Sequence, residues 1–219
     1  DTFTTTETIF VSVPCYCDAA ECARTLCDMF DRAVCPQRVF VGVCEQTTDK
    51  PDDPNTLPFL NLYDREARRR GKAVYSNNVR VITLDAKEAR GPMYARGLIE
   101  RTMYKDEKFY MTIDSHMRFL PEWDGKAIAM FTQIDNPKAI LTTLPANYDR
   151  ERYDGKSLLD VMKIPTFVVV DRVDSDQFPI LSYQHYRRMP RRCYQTPFYC
   201  PTFSFAMGHL VRECPTDLS

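Results

Sequence analysis

Two short β-branched runs separated by one amphipathic stretch constrain this chain most. Ile9-Phe10-Val11-Ser12-Val13 reads as a strand ending at Pro14, and Arg38 to Cys44 reads as a second, almost continuously apolar one. Between them Cys22, Leu26, Met29, Phe30 and Ala33 recur at helical spacing. Asp18-Ala-Ala-Glu21 resembles a capping box that would open this helix. Strand, helix and strand in about 35 residues is a βαβ unit, whose parallel strands need a right-handed crossover. An apolar second strand fits a sheet covered on both faces.

The alternation continues. Val79 to Leu84 is a third strand, and Arg90-Gly91-Pro92 opens a helix striped by Ala95, Leu98, Ile99 and Met103. Lys108 to Ile113 is a fourth strand, left at Asp114-Ser115-His116. Trp123, Ala127, Met130, Phe131 and Ile134 outline another helix, and Ala139–Leu144 and Thr166–Val170 two more strands. Asp49 to Asn55 is a turn-rich loop, and Arg65 to Lys72 a basic run read as a solvated face. Beyond position 144 prolines interrupt any long element. The fold class is therefore α/β, an open, mostly parallel sheet flanked by helices, followed by a less regular part.

The totals remove some functions. With 29 basic and 30 acidic residues in 219, the net charge of -1 offers no general grip on nucleic acid. That holds although Tyr183 to Tyr199 interleaves Arg187, Arg188, Arg191 and Arg192 with aromatics, so this stretch is read as an acceptor-side or structural loop. No apolar run approaches the roughly 20 residues that span a bilayer. The nine cysteines contain no CxxC pair, which argues against structural zinc. They leave disulfides, and the choice between cytoplasm and Golgi lumen, open.

Ligands of open α/β sheets bind beyond the carboxyl ends of the strands. Those exits carry Ser12-Val13-Pro14, Glu45, Asp85 and Asp114-Ser115-His116. In an extended segment Asp114 and His116 share one side, and a carboxylate with an imidazole suits a borderline divalent ion. A polar strand exit with a locally bonded His is the other reading. Gly91 permits close backbone approach at a helix start, where a diphosphate is favoured. Arg90 and Arg96 could bind phosphate by forked bonds or form surface ion pairs. Glu45 reads equally as a polar turn residue.

Three blocks, IFVSVPCYCDAAECARTLCDMF with RVFVGVCEQ, ARGPMYARGLIERTMYKDEKFYMTIDSHMRF and PTFSFAMGHLVRECP, resemble the family-60 glycosyltransferases, polypeptide α-N-acetylglucosaminyltransferases. The resemblance implies a GT-A fold, UDP-GlcNAc as donor, Mn²⁺ or Mg²⁺ as cofactor, and retaining transfer to a protein hydroxyl on hydroxyproline, Ser or Thr. It makes Asp114 and His116 the ligands of a DXD-type metal motif. Ser12, Val13, Pro14, Glu45, Arg90, Arg96 and Asp114 become the nucleotide-sugar contacts. Residues 1–144 would form the nucleotide-sugar half of one catalytic domain, and 145–219 its acceptor side, where Phe203-Ser204-Phe205 resembles a stretch near the acceptor. No catalytic nucleophile is identifiable. The family continues past a segment like Pro201–Pro215 with an acidic element and a His that completes the metal site. This sequence is thus expected to be a fragment or a truncated copy. A nucleotidyltransferase, or an inactive protein-binding relative, are the competing expectations.

Overall fold

The computed structural model describes residues 7–48, 57–145, 166–185, 193 and 195–218. The expected Asp49–Asn55 loop and the arginines at 187, 188, 191 and 192 lie largely or wholly outside them. The chain divides into two compact units, Asp1–Ile140 with Phe205–Ser219, and Leu141–Ser204.

The first unit holds the alternation. β1 (Ile9–Tyr16) leads through α1 (Ala19–Arg32) to β2 (Val39–Thr47), then through α2 (Phe59–Arg69) to β3 (Val79–Asp85). Next come α3 (Pro92–Met103), β4 (Phe109–Ile113) and α4 (Trp123–Thr132). After β5 (Ile140–Thr142), the strands β6 (Thr166–Val173) and β7 (Pro179–His185) form a separate antiparallel pair, and β8 (Phe203–Met207) precedes the short α5 (Leu210–Glu213). The main sheet has six strands in the order β3-β2-β1-β4-β8-β5, and β1 pairs in parallel with both β2 and β4.

The chain moves outward from β1 to β2 and β3, then α3 returns it to β4 on β1's other side. The strand order reverses between β1 and β4, which makes their carboxyl ends the crevice of the sheet. Phe10, Cys44, Ala95, Ile99, Met103 and Tyr110 pack α3 onto the strands, each large side chain contributing roughly 1.5–3 kcal/mol by burial. Gly42 is required there. A Cβ on it would lie 2.6 Å from Phe10 Cζ and 2.7 Å from Ile99 Cγ2.

Some expectations need correction. β1 does not end at Pro14 but runs on to Tyr16; Pro14, which has no N–H to give, lies beyond Ser12, the last residue paired with β4. The capping box at Asp18 and Glu21 is not formed: Asp18 sits at the N-cap position and makes no side-chain cap bond. Both carboxylates find partners 97 residues away, Asp18 in Ser115 and Glu21 in Arg118. Met130 is exposed rather than core, because α4 buries Trp123, Ala127, Ile128 and Phe131 instead. The proline-rich tail conceals β8, whose Phe205 stacks on Phe109 at 5.0 Å between centroids. All nine cysteines are free thiols. Among the described residues, no helix is long and apolar enough to cross a membrane.

Candidate functional site

Three pieces of chain converge at the β1–β4 crevice: the β1 exit, the β4 exit and the first turns of α3. α3 begins at Gly91, whose φ of 89° lies in the left-handed region that glycine adopts without strain, with Pro92 at its first position. One turn in, Arg96 is 2% exposed and its Nη2 donates to Asp114 Oδ1 at 3.0 Å. Asp114 retains a solvent-facing side. Of the residues singled out from sequence, these two are brought into direct contact.

Tyr16 and Cys17 reach solvent at the β1 exit, and Cys17 has a φ of 48°. Ser12 and Val13 are fully buried inside β1, and Ser12 Oγ has no hydrogen-bond partner among the described residues; Pro14 is half-buried. Glu45, at the β2 exit, is buried and accepts from Thr83 Oγ1 at 3.1 Å. Arg90 is exposed with its guanidinium 5.1 Å from the Tyr94 ring centroid, a cation–π contact rather than an ion pair.

His116 is exposed, and the neighbours of its Nδ1 were not foreseen. Nδ1 lies 3.4 Å from Ser115 Oγ and 3.8 Å from Asp18 Oδ2, while Ser115 Oγ donates to Asp18 Oδ2 at 3.1 Å. Asp18 begins a polar stripe on α1 that grips the loop after β4. Glu21 accepts from Arg118 at 2.5 Å, Thr25 Oγ1 donates to the Ser115 carbonyl at 2.6 Å and accepts from the Met117 N–H at 3.0 Å, and Asp28 accepts from the Phe119 N–H at 2.7 Å. Asp18, Glu21, Thr25 and Asp28 recur every three or four residues, so they share one helix face. That spacing was the available signal in the sequence. It was masked because an acidic residue at a helix start also reads as a cap.

Farther along, Asp124 accepts from the Val34 and Cys35 N–H groups and from Arg38 at 2.7 Å, a pair almost without solvent contact. It fixes the α1–β2 connection and lies apart from the crevice residues.

A profile of the glycosyltransferase (GlcNAc) family matches residues 8–61 and 59–218. The chain belongs to that family. No curated protein sequence matches it. Among solved structures it is similar to the mannosyltransferase PcManGT from Pyrobaculum calidifontis in complex with GDP-Man and Mn²⁺, at 13% identity and a TM-score of 0.52 over 96% of this chain and 47% of that one. It is also similar to TarS 1–349 from S. aureus in complex with UDP-GlcNAc, at 14% identity and a TM-score of 0.49 over 94% of this chain and 47% of that one. The chain thus spans about half the length of each of these two solved structures. The α/β, GT-A type fold expected from the sequence is the one observed.

Among the described residues, the crevice offers a carboxylate held by a buried guanidinium, an exposed imidazole beside Asp18 and Ser115, the exposed Tyr16 and Cys17, and the start of α3. Among the described residues no three His, Cys, Asp or Glu side chains are grouped closely enough to hold a metal by themselves. β4 ends at Ile113 and residues 115–116 form a bend, so Asp114 and His116 do not share one side of an extended strand as expected; they remain an oxygen and a nitrogen donor of the kinds a divalent cation takes.

Proposed function

We propose that this family member transfers GlcNAc from UDP-GlcNAc to a protein hydroxyl, on hydroxyproline or Ser/Thr, with retention and with the help of Mn²⁺ or Mg²⁺. The observation that carries this reading is the Arg96–Asp114 pair at the β1–β4 switch point, in a chain matched along its length by a GlcNAc glycosyltransferase family. Asp114 and His116 would hold the cation, which supplies charge stabilisation for the departing nucleoside diphosphate. The start of α3 at Gly91 would present its N–H groups to the diphosphate, and Arg90, on the exposed side of that turn, would add a cation. Arg96 would hold the Asp114 carboxylate in place at the β4 exit. Ser12 and Val13, expected as nucleotide-sugar contacts, are enclosed within β1 and would at most back the nucleoside, while half-buried Pro14 and Glu45 near the end of β2 would flank it. Residues up to about 144 would serve the donor, and those after it the acceptor.

Mn²⁺ is the ion to test first, since the PcManGT structure is a complex with GDP-Man and Mn²⁺. Calorimetry with UDP-GlcNAc should show binding that requires Mn²⁺ and is lost in Asp114→Asn. Metal-independent binding that survives Asp114→Asn would overturn the reading. Preference for a nucleoside triphosphate over UDP-GlcNAc would favour the nucleotidyltransferase instead.

A further inference from the structure

We propose that Asp18 is a positioning residue for His116, acting through the Ser115 hydroxyl to fix which imidazole nitrogen carries the proton. The metal role given to His116 rests on the function proposed above; the relay itself stands on the following geometry.

Asp18 occupies the N-cap position of α1, where a carboxylate normally accepts from its own helix's N–H groups. It makes no such bond, and accepts instead from Ser115 Oγ at 3.1 Å. A serine hydroxyl has one proton and two lone pairs. With that proton given to Asp18, Ser115 Oγ can only accept from its other neighbour, His116 Nδ1, 3.4 Å away. That arrangement favours the neutral tautomer with its proton on Nδ1. Asp18 Oδ2, 3.8 Å from the same nitrogen, favours that proton electrostatically. Nε2 is left as the lone-pair nitrogen, the form a cation binds. Metal-ligating histidines are commonly oriented in this way by a partner on the second nitrogen, and loss of that partner typically costs 10–100-fold in affinity.

The loop itself does not depend on Asp18. Thr25 holds the Ser115 carbonyl and the Met117 N–H, and Asp28 holds the Phe119 N–H. Removing the Asp18 carboxylate should therefore release the imidazole while leaving the β4 exit in place.

Two measurements on the purified protein test this. In long-range ¹⁵N–¹H spectra of metal-free protein at pH 8, His116 should carry its proton on Nδ1, and Asp18→Ala should shift it toward Nε2. Titration with Mn²⁺ alone, followed by electron paramagnetic resonance, should show at least about tenfold weaker binding in Asp18→Ala. Asp18→Asn, which keeps an acceptor oxygen for Ser115, should recover most of that loss. Ser115→Ala breaks the same relay with Asp18 intact and should reproduce both effects; it decides the matter should Asp18→Ala not fold. An Nε2 proton in the unmodified protein, or unchanged tautomer and Mn²⁺ affinity in Asp18→Ala and Ser115→Ala, would overturn the proposal. The expected tautomers without any Mn²⁺ binding would support the relay and overturn the metal reading alone.

Discussion

Arg96 and Asp114 form an ion pair in which one partner is buried and the other faces out. Their closest approach is 3.0 Å, with 3% of the arginine side chain exposed against 28% of the aspartate. Removing one partner of a largely buried pair costs its charge-assisted bond and part of the compensation for burying the other. Asp114→Ala should therefore destabilise the metal-free protein by about 2–4 kcal/mol, less than for a fully enclosed pair. Asp114→Asn keeps an acceptor and should cost less than half as much. Urea unfolding without added metal checks this. Equal stability of wild type and Asp114→Ala would mean that the pair does not hold α3 to the β4 exit.

Glu66 gives α2 a pH dependence. Its carboxylate accepts from Arg69 at 2.9 Å and from Arg70 at 2.7 Å, and these bonds, Arg69's first, hold its carboxyl down to about 2. A carboxyl whose folded value lies below the unfolded one, roughly 4.3, stabilises fully above that value. The contribution is lost as pH falls from about 4.3 towards 2. Because Arg69 is well exposed, it amounts to about 1 kcal/mol. Wild type and Glu66→Gln should thus differ most at pH 7, and the difference should shrink steadily from about pH 4.3 down to about pH 2. A constant difference across that range would refute the assignment.

The thiols should separate into two reactivity classes. Burial pushes Cys27 up to about 12 and Cys44 up to about 11, and Cys22 is raised by burial with a further push from Cys15. Reactivity follows the thiolate and its access. Brief iodoacetamide treatment of native protein at pH 8 should label the exposed Cys17, Cys193 and Cys214 and spare Cys22, Cys27 and Cys44 until denaturant is added. Native labelling of Cys27 at the rate of Cys17 would contradict the packing of α1.

What could be read from the sequence was what is local. β1 to β4 announce themselves by apolar runs, α3 by Gly91-Pro92 and a 3.6-residue stripe, and the strand exits by the polar residues that end those runs. What could not be read depends on distant partners. Asp18 and Glu21 have the right types and spacing for a cap, yet Ser115 and Arg118, 97 residues away, compete for them and win. β8 is five residues long and follows a proline-rich stretch, so its local signal is weak; Phe109 and Phe131 against Phe205 decide its place. The Arg96–Asp114 contact lay between these cases: both residues stood out, but their meeting needed the crossover that brings α3 beside β4.

Gly97 and Glu100 together hold the segment 215–218 on α3. Glu100 accepts from the Thr216 N–H at 2.9 Å and from its hydroxyl at 2.8 Å, and also from the Tyr110 hydroxyl at 2.9 Å. One turn earlier, a Cβ on Gly97 would lie 2.6 Å from Leu218 Cδ2 and 3.1 Å from the Thr216 carbonyl oxygen. Two effects of Gly97→Ala oppose each other: alanine gains about 1 kcal/mol of helix propensity, and overpacking costs about 1–3 kcal/mol. Clash should win, so Gly97→Ala should be destabilising. Leu218→Ala removes the nearer obstacle, and the double variant should then recover about 1 kcal/mol relative to additivity in a double-mutant cycle. Strict additivity of the two changes would mean that Leu218 does not rest on Gly97.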